Sequence, residues 1–204
     1  TPSSPMIRAS SATPGTSHSD IRPVMHLRPS EAAMMTEPVS RTEFRNAMAR
    51  VCAPVNVITT NGPSGRGGFT ATAMCSVTDE PPTLLVCMNS KSAQASVFLN
   101  NRRFCVNVLT GEHKDLASSF AGAQPDMAAR YASAEWVNLR SGNQALADAI
   151  VSFDCMLVDS RQVGTHHIFI GEVTDIRSRT DGHALLYFDR NFVHVPTQAG
   201  SFGG

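Results

Sequence analysis

The sequence predicts a mainly β fold of the barrel type with a few peripheral helices. Three observations lead there. Short apolar stretches with strand-like alternation recur between residues 55 and 195, with turn clusters and few helical segments between them. That is the rhythm of a barrel rather than of a doubly wound sheet. No Gly-x-Gly-x-x-Gly lies between a strand and a helix, as a parallel dinucleotide-binding sheet would require. Finally, an apolar fraction of 42% with 17% charged residues belongs to an ordinary globular domain able to bury a core.

Residues 1–39 are rich in Ser, Thr and Pro and lack apolar periodicity. Such a stretch buries too little surface to offset its ordering entropy, so it is read as a disordered or flexible extension. Arg8, Arg22 and Arg28 among serines have the look of an organelle transit peptide, and an expression scar or a start upstream of Met25 explains them equally. A secretory signal is not expected, because no apolar core of roughly 7–15 residues is present.

The folded domain is expected to span residues 40–196, with a flexible tail at 197–204. Ser40-Arg41-Thr42-Glu43 is a capping box. Phe44, Ala47, Met48 and Val51 then recur at helical spacing and predict one amphipathic helix, which Pro54 cannot continue. From Val55 the period changes to that of a strand running to Thr60, followed by the turn cluster Asn61 to Gly65. Further strands are predicted at Phe69 to Thr72, Thr83 to Met88, Phe104 to Leu109, Val151 to Leu157, Ile168 to Ile176, Ala184 to Phe188 and Phe192 to Val195. Short helices are expected at Ala93 to Asn100 and Glu112 to Ala121.

The 17 basic and 17 acidic residues cancel, so nothing steers the chain toward nucleic acid or an anionic membrane. No apolar run approaches the roughly 20 residues that span a bilayer. The five cysteines are scattered and form no Cys-x-x-Cys pair, and Cys87, Cys105 and Cys155 sit inside apolar runs. They are read as small buried hydrophobes, a usage that fits a reducing cytoplasm.

Four segments can carry chemistry. The first runs from Gly67 to Pro82 and contains Thr70, Ala71, Thr72, Ala73, Met74, Cys75, Ser76 and Val77. Small side chains let a flat ring lie against the backbone, whose polar groups then read the ring's edge. A tight hairpin with a small-residue crossing would have the same composition. The second is Asn89, Ser90, Lys91, Ser92, Ala93 and Gln94, placed to open a helix: a phosphate cradle or a plain N-cap. The third holds His166 and His167 after Gly164-Thr165. Adjacent strand residues face opposite sides, so the pair does not chelate one metal, and no metal site is expected. One of them can border a ligand, or both can be structural. In the fourth, Leu185 to Phe192 with Tyr187, Arg190 beside aromatics suits a pyrophosphate or a base, or simply a hairpin turn. A phosphate-binding Gly-x-x-x-x-Gly-Lys loop and a Gly-x-Ser-x-Gly nucleophile elbow are both missing.

In this order the segments resemble the short-chain flavin reductases, including the reductase component of 4-hydroxyphenylacetate 3-monooxygenase. The likeness rests on Phe44-Arg45-Asn46-Ala47-Met48, Val55 to Thr60, Thr70 to Ala73 with Cys75 to Asp79, Val86 to Asn89, Phe104 to Leu109, Gly164-Thr165-His166 and Leu186 to Arg190. It implies a six-stranded split β-barrel that forms a homodimer with FMN or FAD near the subunit boundary, and NADH or NADPH as co-substrate. Thr70 to Val77 would lie along the isoalloxazine ring, and Asn89 to Ala93 would serve the ribityl phosphate with Arg103 and Phe104 nearby. His166 would be the catalytic-site residue beside the nicotinamide, positioning it rather than acting as a base, with Tyr187 and Arg190 as further candidates. Many relatives carry Gly-Asp-His where this chain has Gly164-Thr165-His166. The implied activity is hydride transfer from nicotinamide to flavin, with reduced flavin supplied to a separate monooxygenase. Alternatives are the reduction of a corrin such as cob(II)yrinic acid a,c-diamide as small-molecule acceptor, a role in pyrimidine degradation, and a flavin- or haem-binding barrel without nicotinamide activity.

Overall fold

The computed structural model describes residues 38–196, so the expectations for residues 1–37 and 197–204 lie outside the described residues. The chain opens with helix α1 (Arg41–Ala49) and the short strand β1 (Ala53–Pro54). Then come β2 (Asn56–Gly62), β3 (Gly65–Ala71), β4 (Met74–Asp79) and β5 (Pro82–Asn89). Helix α2 (Ala95–Asn101) leads into β6 (Arg103–Val108). A helical run of changing pitch follows: a 3-10 turn (Gly111–His113), α3 (Lys114–Ser118) and a π-helical turn (Ser119–Ala123). Helix α4 (Met127–Ala132) and the hairpin β7 (Trp136–Asn138) and β8 (Gln144–Leu146) precede the long ribbon β9 (Val151–Val163) and β10 (His166–Ser178). The hairpin β11 (Ala184–Phe188) and β12 (Asn191–Val195) closes the described chain.

Seven strands form one antiparallel sheet in the order β3-β2-β6-β9-β10-β5-β4. The mainly β expectation holds, while the count is seven rather than six. The added strand is β4: at Thr72-Ala73 the chain bends, and Met74 to Asp79 turns to pair with β5. Among the described residues no ladder joins β3 to β4, so the hydrogen bonding leaves the sheet open. β4 shows almost no alternation in burial, with five of its six residues exposed, so no strand-like period marks it in the sequence.

The sheet is buried on both faces at β2 and β6. Ile58, Phe104 and Val106 join Val86, Met88, Phe98 and Phe169 in one core. Val57 and Val55 turn the other way, to Leu109, Phe120, Tyr131, Leu146 and Leu185. A strand covered on both sides reads as a continuous buried run, as residues 55–60 do. The small sheet β1-β11-β12 is fastened by three backbone bonds: Val55 donates to Leu185, Leu185 to Leu109 and Leu109 to Val55, each at 3.0–3.1 Å.

Between sheet and hairpin lies a buried polar hub. The Asn107 amide donates to the Val57 carbonyl (3.0 Å) and Thr59 Oγ1 (3.3 Å). Its Oδ1 accepts from the Leu146 N–H (2.8 Å) and the Ser152 hydroxyl (2.9 Å). One side chain therefore ties β2, β6, β8 and β9 together.

Gly171 in β10 is required by close approach: a Cβ there would lie 2.4 Å from the Phe104 ring. Overpacking of this kind costs about 1–3 kcal/mol. Gly171→Ala is expected to lower the unfolding midpoint in denaturant without changing the slope, and an unchanged midpoint would show that the core yields there.

The helix expected after Ser40 forms, but its apolar stripe does not pack within the protomer. Phe44, Met48 and Val51 remain 60%, 49% and 53% exposed, and α1 contains no buried residue. Among the described residues no helix is long and apolar enough to cross a membrane.

Candidate functional site

A cleft of about 530 Å³ opens where β3 and β5 end and β10 begins, beside the helical run. One wall is the end of β3 with the bend Thr72-Ala73, the end of β5 from Cys87 to Asn89, and Ser92, Ala93 and Gln94 after it. His166, the first residue of β10, stands at its edge. The rest of the lining is Phe120, Ala121, Gly122, Pro125 and Arg130.

Register places these groups. β5 and β10 pair so that Asn89 lies opposite His166. The Thr165 carbonyl accepts from the Ser90 N–H (3.0 Å) and hydroxyl (3.1 Å), holding the turn after β5 against the β9–β10 hairpin. Asn89 Oδ1 accepts the Lys91 N–H at 2.9 Å, and its carbonyl accepts the Ser92 N–H at 3.0 Å. Residues 89–93 thus form a tight turn rather than a helix start, because α2 begins only at Ala95 and its N-cap, Gln94, makes no side-chain cap. Thr165 Oγ1 lies 3.0 Å from His166 Nδ1. His167 faces the other side of the strand and stacks on Phe169 with ring centroids 5.9 Å apart.

The second wall is fitted to the first. Thr70 Oγ1 donates to the Ala117 carbonyl at 2.6 Å, and the Tyr131 hydroxyl donates to the Gly67 carbonyl at 3.0 Å. Gly68 admits the Phe120 ring so closely that a Cβ would lie 2.4 Å from it. Arg130 is tied to the Gln124 carbonyl through Nε (2.5 Å) and to the Gly68 and Phe120 carbonyls through Nη1 (both 3.4 Å).

Among the described residues the lining contains no carboxylate, and Arg130 is its one arginine or lysine. Burial, with a smaller contribution from nearby Cys75, pushes the Cys87 thiol up. Cys52 and Cys75 are exposed, whereas Cys105 and Cys155 are buried with thiols pushed well up, chiefly by burial. At neutral pH iodoacetamide is expected to label Cys87 slowly, with Cys105 and Cys155 labelled only on unfolding. Peptide mass mapping checks the order, and early labelling of Cys105 would contradict the packing.

A flavin fits these residues. Thr70 to Ala73 offer a wall of small side chains for a planar ring, and Arg130 and the Ser92 hydroxyl suit a phosphate-bearing tail. Gln94 lines the cleft with its Oε1 buried and without a partner, an acceptor that a ligand hydroxyl or N–H can satisfy once the amide turns. Among the described residues no group of His, Cys, Asp and Glu is arranged to hold a metal.

The cleft unites Thr70, Ala71, Thr72, Ala73, Asn89, Ser92, Ala93 and His166. Ser90 and Lys91 belong to the same turn outside the lining. Met74, Tyr187 and Arg190 line a second groove against α1, which shares Thr72 and Ala73 with the cleft. Cys75, Ser76 and Val77 lie exposed on β4. The structure does not bring Arg103 and Phe104 to the cleft. They sit on a central strand covered on both faces, where Arg103 donates to the Asn101 and Ser141 carbonyls and Phe104 is core. The wall from Phe120 to Arg130 is not foreseen from sequence. Pro125-Asp126 marks it: Asp126 caps α4 by accepting the Ala128 and Ala129 N–H groups at 3.2 Å.

The model of the flavin reductase like domain matches residues 48–196. An FMN reductase (NADH) RutF of Stutzerimonas stutzeri is 49% identical over 160 residues, covering 78% of this chain and 91% of that protein. Flavin reductase PheA2 shares 30% identity at a TM-score of 0.70, covering 78% of this chain and all of that one. BorF, the flavin reductase component of a bacterial two-component tryptophan halogenase, shares 25% at a TM-score of 0.72 over 78% of this chain and 100% of its own.

Proposed function

We propose that this chain, which belongs to the flavin reductase-like domain family, transfers hydride from NADH to FMN and supplies the reduced flavin to a separate oxygenase. The observation that carries this reading is a cleft, without a carboxylate among the described residues, that joins Thr70 to Ala73, Asn89, Ser92 and Ala93 of the following turn, and His166. NADH and FMN are preferred over NADPH and FAD because the RutF relative is named as an FMN reductase using NADH. A separate oxygenase is suggested by BorF, which serves as one component of a two-component system. Reduction of a corrin has no particular residue of the cleft in its favour, and cob(II)alamin serves as the control acceptor.

When bound, the flavin supplies a ring that accepts a hydride and carries the electrons away. The chain's residues bind, orient and exclude water. Thr70 to Ala73 set the depth at which a planar ring rests, because their side chains are too small to hold it off the backbone. The Asn89-to-Ser92 turn, fixed by its own hydrogen bonds and by Thr165, presents the Ser92 hydroxyl to the tail. His166 stands at the rim and bounds the space for the nicotinamide. Hydride transfer itself needs no protein acid or base, so orientation at near-contact distance is its role. His166→Ala is expected to slow hydride transfer or raise the KM for NADH several-fold, with FMN affinity unchanged. Loss of FMN binding in that variant would place His166 against the flavin instead.

We also propose that the protein works as a homodimer, with the second groove covered by a partner. The exposed stripe Phe44, Met48 and Val51 supports this, together with exposed Val77 on β4. Tyr187 and Arg190, which line that groove, would then approach the ligand across the subunit boundary. Light scattering of the purified protein reads the dimer, and a monomeric mass would remove this part of the reading. The function is tested by mixing catalytic amounts of protein with excess NADH and FMN without oxygen. Protein-dependent bleaching of the flavin is expected, and none beyond the uncatalysed rate would reject it.

A further inference from the structure

We propose that Arg130 is a specificity-determining residue that recognises a phosphoryl oxyanion inside the cleft, an inference that rests on the flavin and NADH reading above. Its position is the first reason. Among the described residues it is the single arginine or lysine of a lining without carboxylates, a lining that also holds Ser92, Asn89 and Gln94. A ligand held in the cleft therefore meets hydroxyl and amide groups together with one oriented positive charge.

Its attachment is the second reason. Three carbonyls, of Gln124, Gly68 and Phe120, are engaged by Nε and Nη1, and the guanidinium lies 6.0 Å from the Phe120 ring centroid. These partners are neutral. No carboxylate among the described residues pairs with Arg130, so its charge is oriented but not neutralised. Nη2 has no hydrogen-bond partner among the described residues and keeps two N–H groups for a ligand. An arginine needed only to staple α4 to β3 would be served by the carbonyl bonds alone. One left with a free pair of donors in a carboxylate-free cleft is built to accept an anion, and a planar guanidinium suits a phosphoryl group.

Two bound species bring such a group: the terminal phosphate of FMN and the pyrophosphate of NADH. Each is compared with its counterpart lacking phosphate, FMN with riboflavin by fluorescence quenching, and NADH with reduced nicotinamide riboside by steady-state kinetics. Arg130→Gln is expected to weaken one phosphate-bearing member by about 10-fold or more, and its counterpart by less than about twofold. Loss confined to FMN assigns Arg130 to the flavin phosphate, and loss confined to NADH assigns it to the pyrophosphate. Arg130→Lys keeps the charge without the fork and is expected to recover part of the loss, and it serves as the test if the glutamine variant does not fold. Equal losses for both members of each pair, or no loss at all, would overturn the proposal and leave Arg130 a structural staple. Wild-type protein that binds FMN but does not reduce it would instead reject the reductase reading, while the FMN-to-riboflavin affinity ratio would still report on Arg130.

Discussion

Ala73→Trp is expected to weaken FMN binding by at least about 100-fold, equivalent to about 2.7 kcal/mol, while leaving the thermal midpoint near that of the wild type. Ala73 sits at the bend between β3 and β4, exposed, and lines both the cleft and the second groove. An indole at this position adds no volume to either core, so folding should tolerate it. It would occupy the space in which a planar ring must lie against the small-residue wall. Fluorescence titration with FMN checks the expectation. Full affinity in a folded variant would mean that the ring lies elsewhere, and the proposed role of Thr70 to Ala73 would fall with it.

Asn107→Ala is expected to cost about 3–4 kcal/mol of stability, a large share of the roughly 5–15 kcal/mol that holds a domain of this kind folded. The truncation removes five side-chain hydrogen bonds at once, the 3.6 Å bond from Cys105 Sγ among them. It strands the buried Leu146 N–H and Ser152 hydroxyl, and leaves the buried Val57 carbonyl short of a donor. Because Asn107 lies outside the cleft lining, FMN affinity at low temperature should change little. Chemical denaturation reads the first effect and a flavin titration the second. A loss under about 1 kcal/mol would show that Asn107 adds little to the other bonds on the β7–β8 hairpin, such as the Thr59 hydroxyl donating to the Gln144 carbonyl at 2.7 Å.

Much of this architecture is written in local sequence because strands buried on one or both faces leave a period or a continuous apolar run. β2, β5, β6 and β11 are legible for that reason. β4 is not, since a strand exposed along nearly its whole length has no pattern to detect. The stripe on α1 identifies a helix correctly, yet periodicity alone does not say whether the stripe packs within the protomer or waits for another surface. In the cleft, the small-residue segment, the turn after β5 and His166 stand out by composition. Arg130 does not, because its helix is only six residues long and its anchoring Gly68 carbonyl lies 62 positions away in the chain. Arg103 and Phe104 err the other way: strand β6 is adjacent in sequence to expected ligand segments but central in the sheet, and its side chains are spent on the core and the Ser141 loop.

The central claim is that hydride passes directly from NADH to a flavin held in this cleft. Its most direct test is anaerobic, single-turnover reduction of protein-bound FMN by NADH and by NADH deuterated at the transferred position. The account predicts rapid bleaching of the flavin, slowed by a primary isotope effect and absent from Ala73→Trp. A bound flavin that stays oxidised with NADH would contradict it, and so would bleaching at the same rate with both isotopologues and in the tryptophan variant.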